Sequence, residues 1–195
     1  MLHPGDRVLV GISGGPDSVA LLHFLWKMKE NYDISLYAVH VNHMIRPEAE
    51  RETENVRKLA ESLRIPLKVY YRDALAYAEE QGKSLEQAGH ELRFQCFREA
   101  TEEWNCNRLA LGHHSGDVVE SMLMHLIQGC GMQGLTAMPP VNGMVIRPLI
   151  ACDKETLIRY CLGNNLHFDV DATNFEADCF RNKIRLELLP LMKQY

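Results

Sequence analysis

The chain has 195 residues, of which 46% are hydrophobic and 24% charged, and its formal net charge is −5. These proportions are typical of a globular domain that can bury a core, and they exclude a disordered tail. The acidic balance excludes an overall positive surface for nucleic acid, so any RNA-binding surface has to be local.

The six cysteines lie singly along the chain, without a C-x-x-C pair. The first residues, MLHPGDRVLVGIS, lack the basic and apolar regions of a signal peptide. No apolar run approaches the roughly 20 residues that a membrane helix needs. We therefore expect a cytoplasmic protein with reduced cysteines and no membrane segment. The oligomeric state does not follow from the sequence.

The first half of the chain alternates strand-like and helix-like segments. An apolar run at Asp6–Ile12 predicts a buried strand, and the loop SGGPDS and a helix follow it. A second strand is expected at Ile34–His40, a helix at Ala49–Leu63, and a third strand in the run LKVYY after Pro66. Residues Asp73–Lys83 favour no single element.

The second half begins with a long helix, for which Ser84 and Gln87 form a capping box. Arg108–Leu111 predicts a fourth strand, which the loop GHHSGD closes. The next helix starts at Ser115 or Asp117. The apolar spacing along it predicts an inward face, made by Val118, Met122 and Leu126.

A fifth strand is expected at Met144–Ile146, and two further helices at Asp153–Leu162 and about Arg181–Leu189. Strands that alternate with helices predict an α/β fold with a parallel five-stranded sheet and helices on both faces. Ligands of such sheets bind beyond the carboxyl ends of the strands. Both unusual loops, SGGPDS and GHHSGD, follow strands and lie at such ends.

The chemistry of the first loop indicates a phosphate site. Gly14 and Gly15 allow backbone N–H groups to turn toward an anion, and the following helix directs its positive end there. Ser13 and Ser18 add hydroxyl groups, whereas Asp17 would repel phosphate unless Mg²⁺ lay between them. The loop is neither a Walker A nor a dinucleotide-binding motif. A simple helix-starting turn is the alternative, and the position directly after the first strand favours the phosphate loop.

SGGPDS matches the S-G-G-x-D-S signature, and the chain thereby resembles the PP-loop ATP pyrophosphatases. Within that group it resembles the bacterial tRNA(Ile)-lysidine synthetases from Asp6 to about Met192. The further segments that carry this resemblance are His40-Val41-Asn42-His43 with Arg46, Gly112-His113-His114 with Asp117 and Glu120, Gly129-Cys130-Gly131 through Gly134-Leu135 and Met138, Ile146-Arg147-Pro148-Leu149, and the ending with Asp171, Asn174, Arg181-Asn182, Arg185 and Pro190.

The resemblance implies an adenine nucleotide alpha-hydrolase-like fold and an ATP-dependent ligase. ATP, with Mg²⁺, would adenylate C2 of the wobble cytidine in the CAU anticodon of tRNA(Ile), and the amine of L-lysine would then displace AMP. Residues 1–195 would form the catalytic domain. Within it, about 171–195 would be a helical extension toward tRNA-binding domains outside this chain.

The resemblance also assigns roles to individual residues. The expected catalytic residues are Asp17, Asp117, Arg93 and Arg185. Asp17 is the expected Mg²⁺ ligand, and Asp117 is expected to bind either Mg²⁺ or the lysine ammonium. The expected ATP-binding residues are Ser13, Gly14, Gly15, Pro16, Asp17, Ser18, Ala38 and His40. The expected contacts to substrate or tRNA are His43, Arg46, Glu120 and Arg181. On spacing alone, Asp117 and Glu120 would be the solvated face of a helix.

Two positions depart from the family pattern. Gly116 stands where the family has the first of two adjacent aspartates, and His90 stands where it has the first of two arginines. Both changes fall near the expected site and bear on metal affinity and activity.

Two other functions remain open from the sequence. One is a PP-loop tRNA 2-thiolase, which the absence of a C-x-x-C pair disfavours. The other is a non-catalytic nucleotide-binding module, which the retained Asp17, Asp117 and Arg185 disfavour. A zinc site built on the histidines is also disfavoured, because neither a cysteine pair nor H-E-x-x-H is present.

Overall fold

A mostly parallel sheet forms the centre of the computed structural model, which describes residues 1–45, 48–131, 138–169, 180–192 and 194. Its strands lie in the order β3-β2-β1-β4-β6-β5, and only β5, paired with β6, runs antiparallel. The strands are β1 (Arg7–Gly11), β2 (Ser35–Asn42), β3 (Leu67–Tyr71), β4 (Arg108–Ala110), β5 (Val141–Asn142) and β6 (Val145–Ile146).

Helices connect the strands and cover the sheet. The described helices are α1 (Pro16–Met28), α2 (Ala49–Ser62), α3 (Ala74–Gln81), α4 (Leu85–Glu103), α5 (Ser115–Ile127), α6 (Lys154–Gly163), α7 (Phe180–Lys183) and α8 (Leu189–Met192). A five-residue π-helical segment, Ile184–Leu188, joins α7 to α8.

The core has two halves because successive side chains of a strand point to opposite faces. On one face of β1, Val8 and Val10 pack in a cluster with α1, α2 and α6. On the other face, Leu9 packs in a second cluster with Phe97 of α4. All three strand residues are fully buried, which agrees with a strand covered on both sides. The prediction of helices on both faces is therefore confirmed.

The five predicted strands are present, but the sheet has a sixth. The edge hairpin of β5 and β6 turns at Gly143, whose φ is +58°. The additional strand is β5, which has only two residues, so periodicity over a window of residues does not detect it. The ambiguous segment Asp73–Lys83 is largely helix α3, which Asp73 caps through the Ala76 amide and Gly82 ends at φ +60°.

Helix α4 starts as predicted. The Ser84 hydroxyl accepts a hydrogen bond from the Gln87 amide, and the Gln87 side chain accepts one from the Ser84 amide. The long helix therefore begins at a capping box. It carries Arg93 toward the carboxyl ends of the strands and Phe97 into the core.

The predicted inward face of α5 is wrong. Met122 and Leu126 are exposed and Val118 is only half-buried, whereas Glu120 and Ser121 are buried. The physical reason is that α7 and the π-helical segment pack on the polar side of α5, where Arg185 binds Glu120. The polar side thus faces protein rather than solvent.

The last predicted helix, Arg181–Leu189, is also more irregular than expected. Residues 180–192 are helical, but α-helix changes to π-helix at Ile184 and back at Leu189. A π-helical turn adds one residue to the hydrogen-bonded ring, and such turns are frequent at functional sites. Arg185 lies in this turn.

No helix among the described residues combines the length and apolar character needed to cross a membrane. Several residues that carry the family resemblance lie outside the described part of the chain, namely Arg46, Gly134, Leu135, Asp171 and Asn174.

Candidate functional site

Two loops meet where the connections of the sheet change direction. Strand β1 lies between β2 and β4, so the loops after β1 and β4 leave neighbouring strands. At Gly112, just beyond β4, an added Cβ would lie 3.1 Å from the Asp17 carbonyl carbon and 3.1 Å from the Ser18 nitrogen. Glycine therefore permits this close approach. The crevice that the sequence predicts at the strand ends lies between these loops.

The loop after β1 is braced by its own hydroxyl groups. The Ser18 hydroxyl accepts a hydrogen bond from the Ser13 amide at 3.1 Å and donates to the Gly15 carbonyl at 3.0 Å. The hydroxyl proton of Ser18 is thus donated within the loop, whereas the sequence predicted that it would be available to a ligand. Gly14 adopts φ +97°, a conformation that L side chains rarely adopt.

The first turn of α1 supplies donors to an anion. The helix begins at Pro16, and the Val19 amide donates a hydrogen bond to the Gly15 carbonyl. The amide groups of Asp17 and Ser18 have no partner within the helix, because the first N–H groups of any helix lack one. Such a turn, with its positive dipole end, binds phosphate groups.

Asp17 is a half-buried carboxylate with incomplete hydrogen bonding. Its Oδ1 has no hydrogen-bond partner among the described residues. Its Oδ2 lies 3.9 Å from both His114 Nε2 and Lys154 Nζ. Burial raises the pKa of Asp17, and Lys154 and His114 act in the opposite direction. A carboxylate of this kind is stabilised by a cation.

The loop after β4 brings a second carboxylate to the same place. Asp117 Oδ2 accepts a hydrogen bond from the His114 amide at 2.9 Å, and Asp117 Oδ1 lies 4.0 Å from Arg185 Nη2. His114 in turn caps α5, since its Nδ1 accepts from the Gly116 amide at 3.0 Å. Its Nε2 lies 3.7 Å from Asp117 Oδ2. His114 thus stands between the two expected metal ligands.

Glu120 and Arg185 form a buried, two-pronged ion pair. Arg185 donates from Nε to Glu120 Oε1 at 2.6 Å and from Nη2 to Oε2 at 2.8 Å. Glu120 is 3% exposed. Hydrogen bonding to Glu120 raises the pKa of Arg185, so the guanidinium is firmly charged. Both oxygens of Glu120 are occupied, so this residue acts on the site through Arg185.

A group of basic side chains lies beside these acids. We call it the basic wall, and its members are Arg93, Arg147, Arg181, His43 and His113. Four of its nitrogen-bearing groups keep a buried nitrogen without a hydrogen-bond partner among the described residues: His43 at both ring nitrogens, His113 at Nδ1, and Arg147 and Arg181 at Nε. Donors left without acceptors are costly unless a ligand satisfies them.

The histidines of the basic wall are neutral at pH 7. Burial lowers the pKa of His43 to about 4, with Arg93 and His40 acting in the same direction. Burial also lowers the pKa of His113 to about 4, and Arg147, Arg181 and Arg93 contribute. The guanidinium groups of all three arginines therefore lie near the His113 ring. Burial lowers the pKa of Arg93 as well, and this concentration of positive charge suits an anionic ligand.

Asp169 is a site residue that sequence reasoning missed. Its amide donates to the Gly14 carbonyl at 3.0 Å, and Asn55 Nδ2 donates to both its carboxylate oxygens at 3.2 and 3.0 Å. The segment after α6 is thereby tied across the glycine loop. The contact joins residues 155 positions apart, so no local pattern indicates it. Lys154 was missed for the same reason.

Two of the residues predicted to bind ATP are buried in the fold. Ala38 is fully buried within β2. His40 is also buried, and its ring binds the Ile12 carbonyl at 2.8 Å and the Thr53 hydroxyl at 3.0 Å. Arg46 lies outside the described residues. The glycine loop itself is formed by Ser13, Gly14, Gly15, Pro16, Asp17 and Ser18. The other predicted site residues that surround it are Asp117, Glu120, Arg185, Arg93, Arg181 and His43.

Comparison with solved structures shows the same fold in other enzymes. The U34-tRNA thiolase NcsA from Methanococcus maripaludis, with its [4Fe-4S] cluster, is 21% identical and superposes with a TM-score of 0.81 over 100% of this chain and 68% of its own. The NH3-dependent NAD synthetase from Campylobacter jejuni is 18% identical, with a TM-score of 0.55 over 97% of this chain and 75% of its own. These similarities establish the fold alone.

Curated relatives are closer in sequence. The chain is 39% identical over 195 residues to the tRNA(Ile)-lysidine synthase of Caldanaerobacter subterraneus subsp. tengcongensis, and 42% identical over 192 residues to that of Clostridium acetobutylicum. It spans 42% of the length of each. The family described as "PP-loop domain" matches residues 3–192, nearly the whole chain. The chain therefore belongs to the PP-loop domain family.

Proposed function

We propose that this chain is the ATP-cleaving, catalytic part of a tRNA(Ile)-lysidine synthase acting in the cytoplasm. It would adenylate C2 of the wobble cytidine of tRNA(Ile) with a CAU anticodon and join L-lysine, releasing AMP and pyrophosphate. The observation that carries the proposal is the meeting of the glycine loop, two acidic side chains and the basic wall at one crevice. The curated relatives supply the identity of the substrates.

The glycine loop would hold the triphosphate of ATP. The amide groups at the start of α1 are directed as an anion site requires, and Gly112 keeps the loop after β4 against them. The hydrogen bond from the Asp169 amide to the Gly14 carbonyl would fix the loop before ATP binds. Donors that are already in position lose little freedom on binding, so they stabilise the charge of departing pyrophosphate effectively.

The residues present fit a magnesium ion. Asp17 offers a buried oxygen without a partner, and Asp117 offers a second carboxylate nearby. Oxygen ligands of this kind, completed by substrate phosphates and water, suit Mg²⁺. When bound, Mg²⁺ would neutralise charge on the phosphates. Asp17 and Asp117 are thus the proposed metal ligands.

The basic wall would contact the RNA. Its unpartnered nitrogens are neutral imidazole or guanidinium donors, which suit phosphate oxygens and the polar edges of a base. Arg93 and Arg181, on α4 and α7, would approach the nucleotide from two sides. The chain as a whole is acidic. The basic wall would therefore provide most of the electrostatic attraction between this chain and tRNA.

The acidic side of the crevice would receive the lysine. Asp117 keeps one oxygen directed at Arg185 without a short hydrogen bond, so it can accept an ammonium group. Glu120 would instead position Arg185, because both its oxygens are engaged. We further propose that residues 1–195 are the catalytic domain and that 171–195 lead toward tRNA-binding domains.

Sulfur transfer, the competing reaction, is poorly supported by the cysteines. Burial raises the pKa of Cys96, and it raises that of Cys106 and of Cys161 to about 11. Such thiols remain protonated near pH 7 and are poor nucleophiles. No three His, Cys, Asp or Glu side chains within the described ranges are grouped to hold a metal.

The test is a product assay with Mg·ATP, radiolabelled lysine and a tRNA(Ile) transcript with a CAU anticodon. The proposal predicts AMP release that depends on lysine and tRNA, with label in the RNA. A transcript with a CAC anticodon is the matched control and should stay unlabelled. The absence of both labelled RNA and RNA-dependent AMP, under conditions in which the chain binds Mg·ATP, would refute the proposal.

A further inference from the structure

His114 and Gly116 form one hydrogen-bonded unit at the start of α5. The Gly116 amide donates to His114 Nδ1 at 3.0 Å, so this nitrogen carries no proton. The other ring nitrogen, Nε2, then carries the proton. The ring is buried, at 5% exposure.

The other side of the ring faces both acids. Nε2 lies 3.9 Å from Asp17 Oδ2 and 3.7 Å from Asp117 Oδ2. Both distances exceed that of a direct hydrogen bond. An oxygen of another group, such as phosphate or water, would therefore be needed to complete the hydrogen bond of Nε2–H.

Only glycine at position 116 permits this arrangement. An added Cβ would lie 2.7 Å from His114 Cε1 and 3.0 Å from His114 Nδ1. Any other residue, including an aspartate, has to push the ring away from its cap. The chain thus carries glycine, and no third carboxylate, where the paired-aspartate pattern carries an aspartate.

The charges around the site have a second consequence. Lys154 Nζ lies 3.9 Å from Asp17 Oδ2, and Arg185 Nη2 lies 4.0 Å from Asp117 Oδ1. Each carboxylate therefore has a cation nearby before any metal arrives. Metal affinity rises with the number of negatively charged ligands and falls with competing positive charge. No preformed group of three metal-binding side chains occurs in the described part of the chain.

We propose that Gly116 seats the His114 ring so that its Nε2–H donor lies between Asp17 and Asp117, and that this chain binds the divalent metal only together with the nucleotide. The triphosphate would supply both the missing metal ligands and the acceptor for Nε2–H. His114 is a positioning residue in this account. The inference rests on the proposed ATP site, but it does not depend on lysine or tRNA as substrates.

The first test measures metal binding directly. Mn²⁺ binding to the chain would be followed by electron paramagnetic resonance, with and without a non-hydrolysable ATP analogue. We expect at least tenfold tighter binding with the analogue. Equal Mn²⁺ affinity in both conditions would overturn the inference.

Two substitutions at one position separate charge from sterics. Gly116→Ala adds only the Cβ, whereas Gly116→Asp adds the Cβ and a carboxylate. We expect Gly116→Asp to bind Mn²⁺ without nucleotide about tenfold more tightly than Gly116→Ala. Gly163→Asp, where an added Cβ meets nothing within 4 Å, controls for the added charge. No difference between the two variants at position 116 would contradict the proposed charge effect.

The native chain supplies a test that needs no folded variant. The ¹⁵N chemical shifts of the His114 ring report which nitrogen carries the proton, and we expect Nε2–H. A proton on Nδ1 would overturn the proposal. His114→Asn retains an oxygen that caps Gly116 but loses Nε2–H, and it should weaken Mg·ATP analogue binding about fivefold. Unchanged binding with a retained fold would also overturn it, whereas failed lysine transfer alone would refute only the proposed function.

Discussion

Arg185 and Glu120 meet in a two-pronged pair, with 2.6 Å between Nε and Oε1 and 2.8 Å between Nη2 and Oε2. The two residues are 65 positions apart, on the π-helical segment and on α5. Their pairing attaches the last described helices to the crevice. It also places a charged guanidinium within 4.0 Å of Asp117.

Glu120→Gln should therefore destabilise the protein. The substitution replaces the buried, charged partner of the half-buried Arg185 guanidinium with a neutral one, so we expect the free energy of unfolding to fall by about 1–3 kcal/mol. Urea unfolding measures it. Lys83 and Glu91 offer a matched control, because they are also 2.6 Å apart but largely exposed. Glu91→Gln should cost much less, because exposed ion pairs contribute little, and equal losses would contradict the importance of the buried Glu120 carboxylate.

This pair also explains what the sequence could and could not predict. The strand–helix alternation and the loops at strand ends follow from local patterns, and they were predicted. The buried polar side of α5 follows from contact with residues 180–192, which periodicity along α5 alone cannot reveal. Asp169 and Lys154 reach the glycine loop from distant positions for the same reason. Short two-residue strands such as β5 carry too little pattern to detect.

Gly112→Ala should disturb the glycine loop. The new methyl group would lie 3.1 Å from the backbone at Asp17 and Ser18, and backbone cannot move aside as a side-chain tip can. We expect about 1–3 kcal/mol of lost stability and about tenfold weaker ATP binding, measured by denaturation and calorimetry. Gly163→Ala adds the same group in open space. A Gly112→Ala variant that binds ATP normally would show that the two loops do not need their close approach.

Asp17→Asn should weaken nucleotide binding only when the metal is present. The carboxylate keeps a buried oxygen without a partner among the described residues, and the amide is a poor substitute as a Mg²⁺ ligand. We expect affinity for Mg·ATP to fall about tenfold or more, with little change in EDTA. Asp33→Asn is the control, because Asp33 is exposed and its φ of +50° also suits asparagine. Equal losses with and without Mg²⁺ would indicate a structural role.

Stability should depend on pH through His43. Its pKa is about 4 in the folded chain, below its ordinary 6.5. Between pH 4 and pH 6.5 the unfolded chain binds more protons than the folded chain. The free energy of unfolding therefore rises with pH over this range, and the contribution of His43 is lost as the pH falls toward 4. We expect His43→Gln to remove less than about 3 kcal/mol of this pH-dependent change in the free energy of unfolding, because the ring is partly exposed. Unfolding curves at several pH values measure it. The same slope in His43→Gln and in a variant of the exposed His3 would contradict the assignment.

The central claim is that the crevice cleaves ATP between its α- and β-phosphates. The most direct measurement uses ATP labelled at the α-phosphate, with Mg²⁺, lysine and tRNA(Ile), and identifies the nucleotide product. The account predicts labelled AMP with an equal amount of pyrophosphate, and loss of both in Asp17→Asn. Labelled ADP with inorganic phosphate would contradict it.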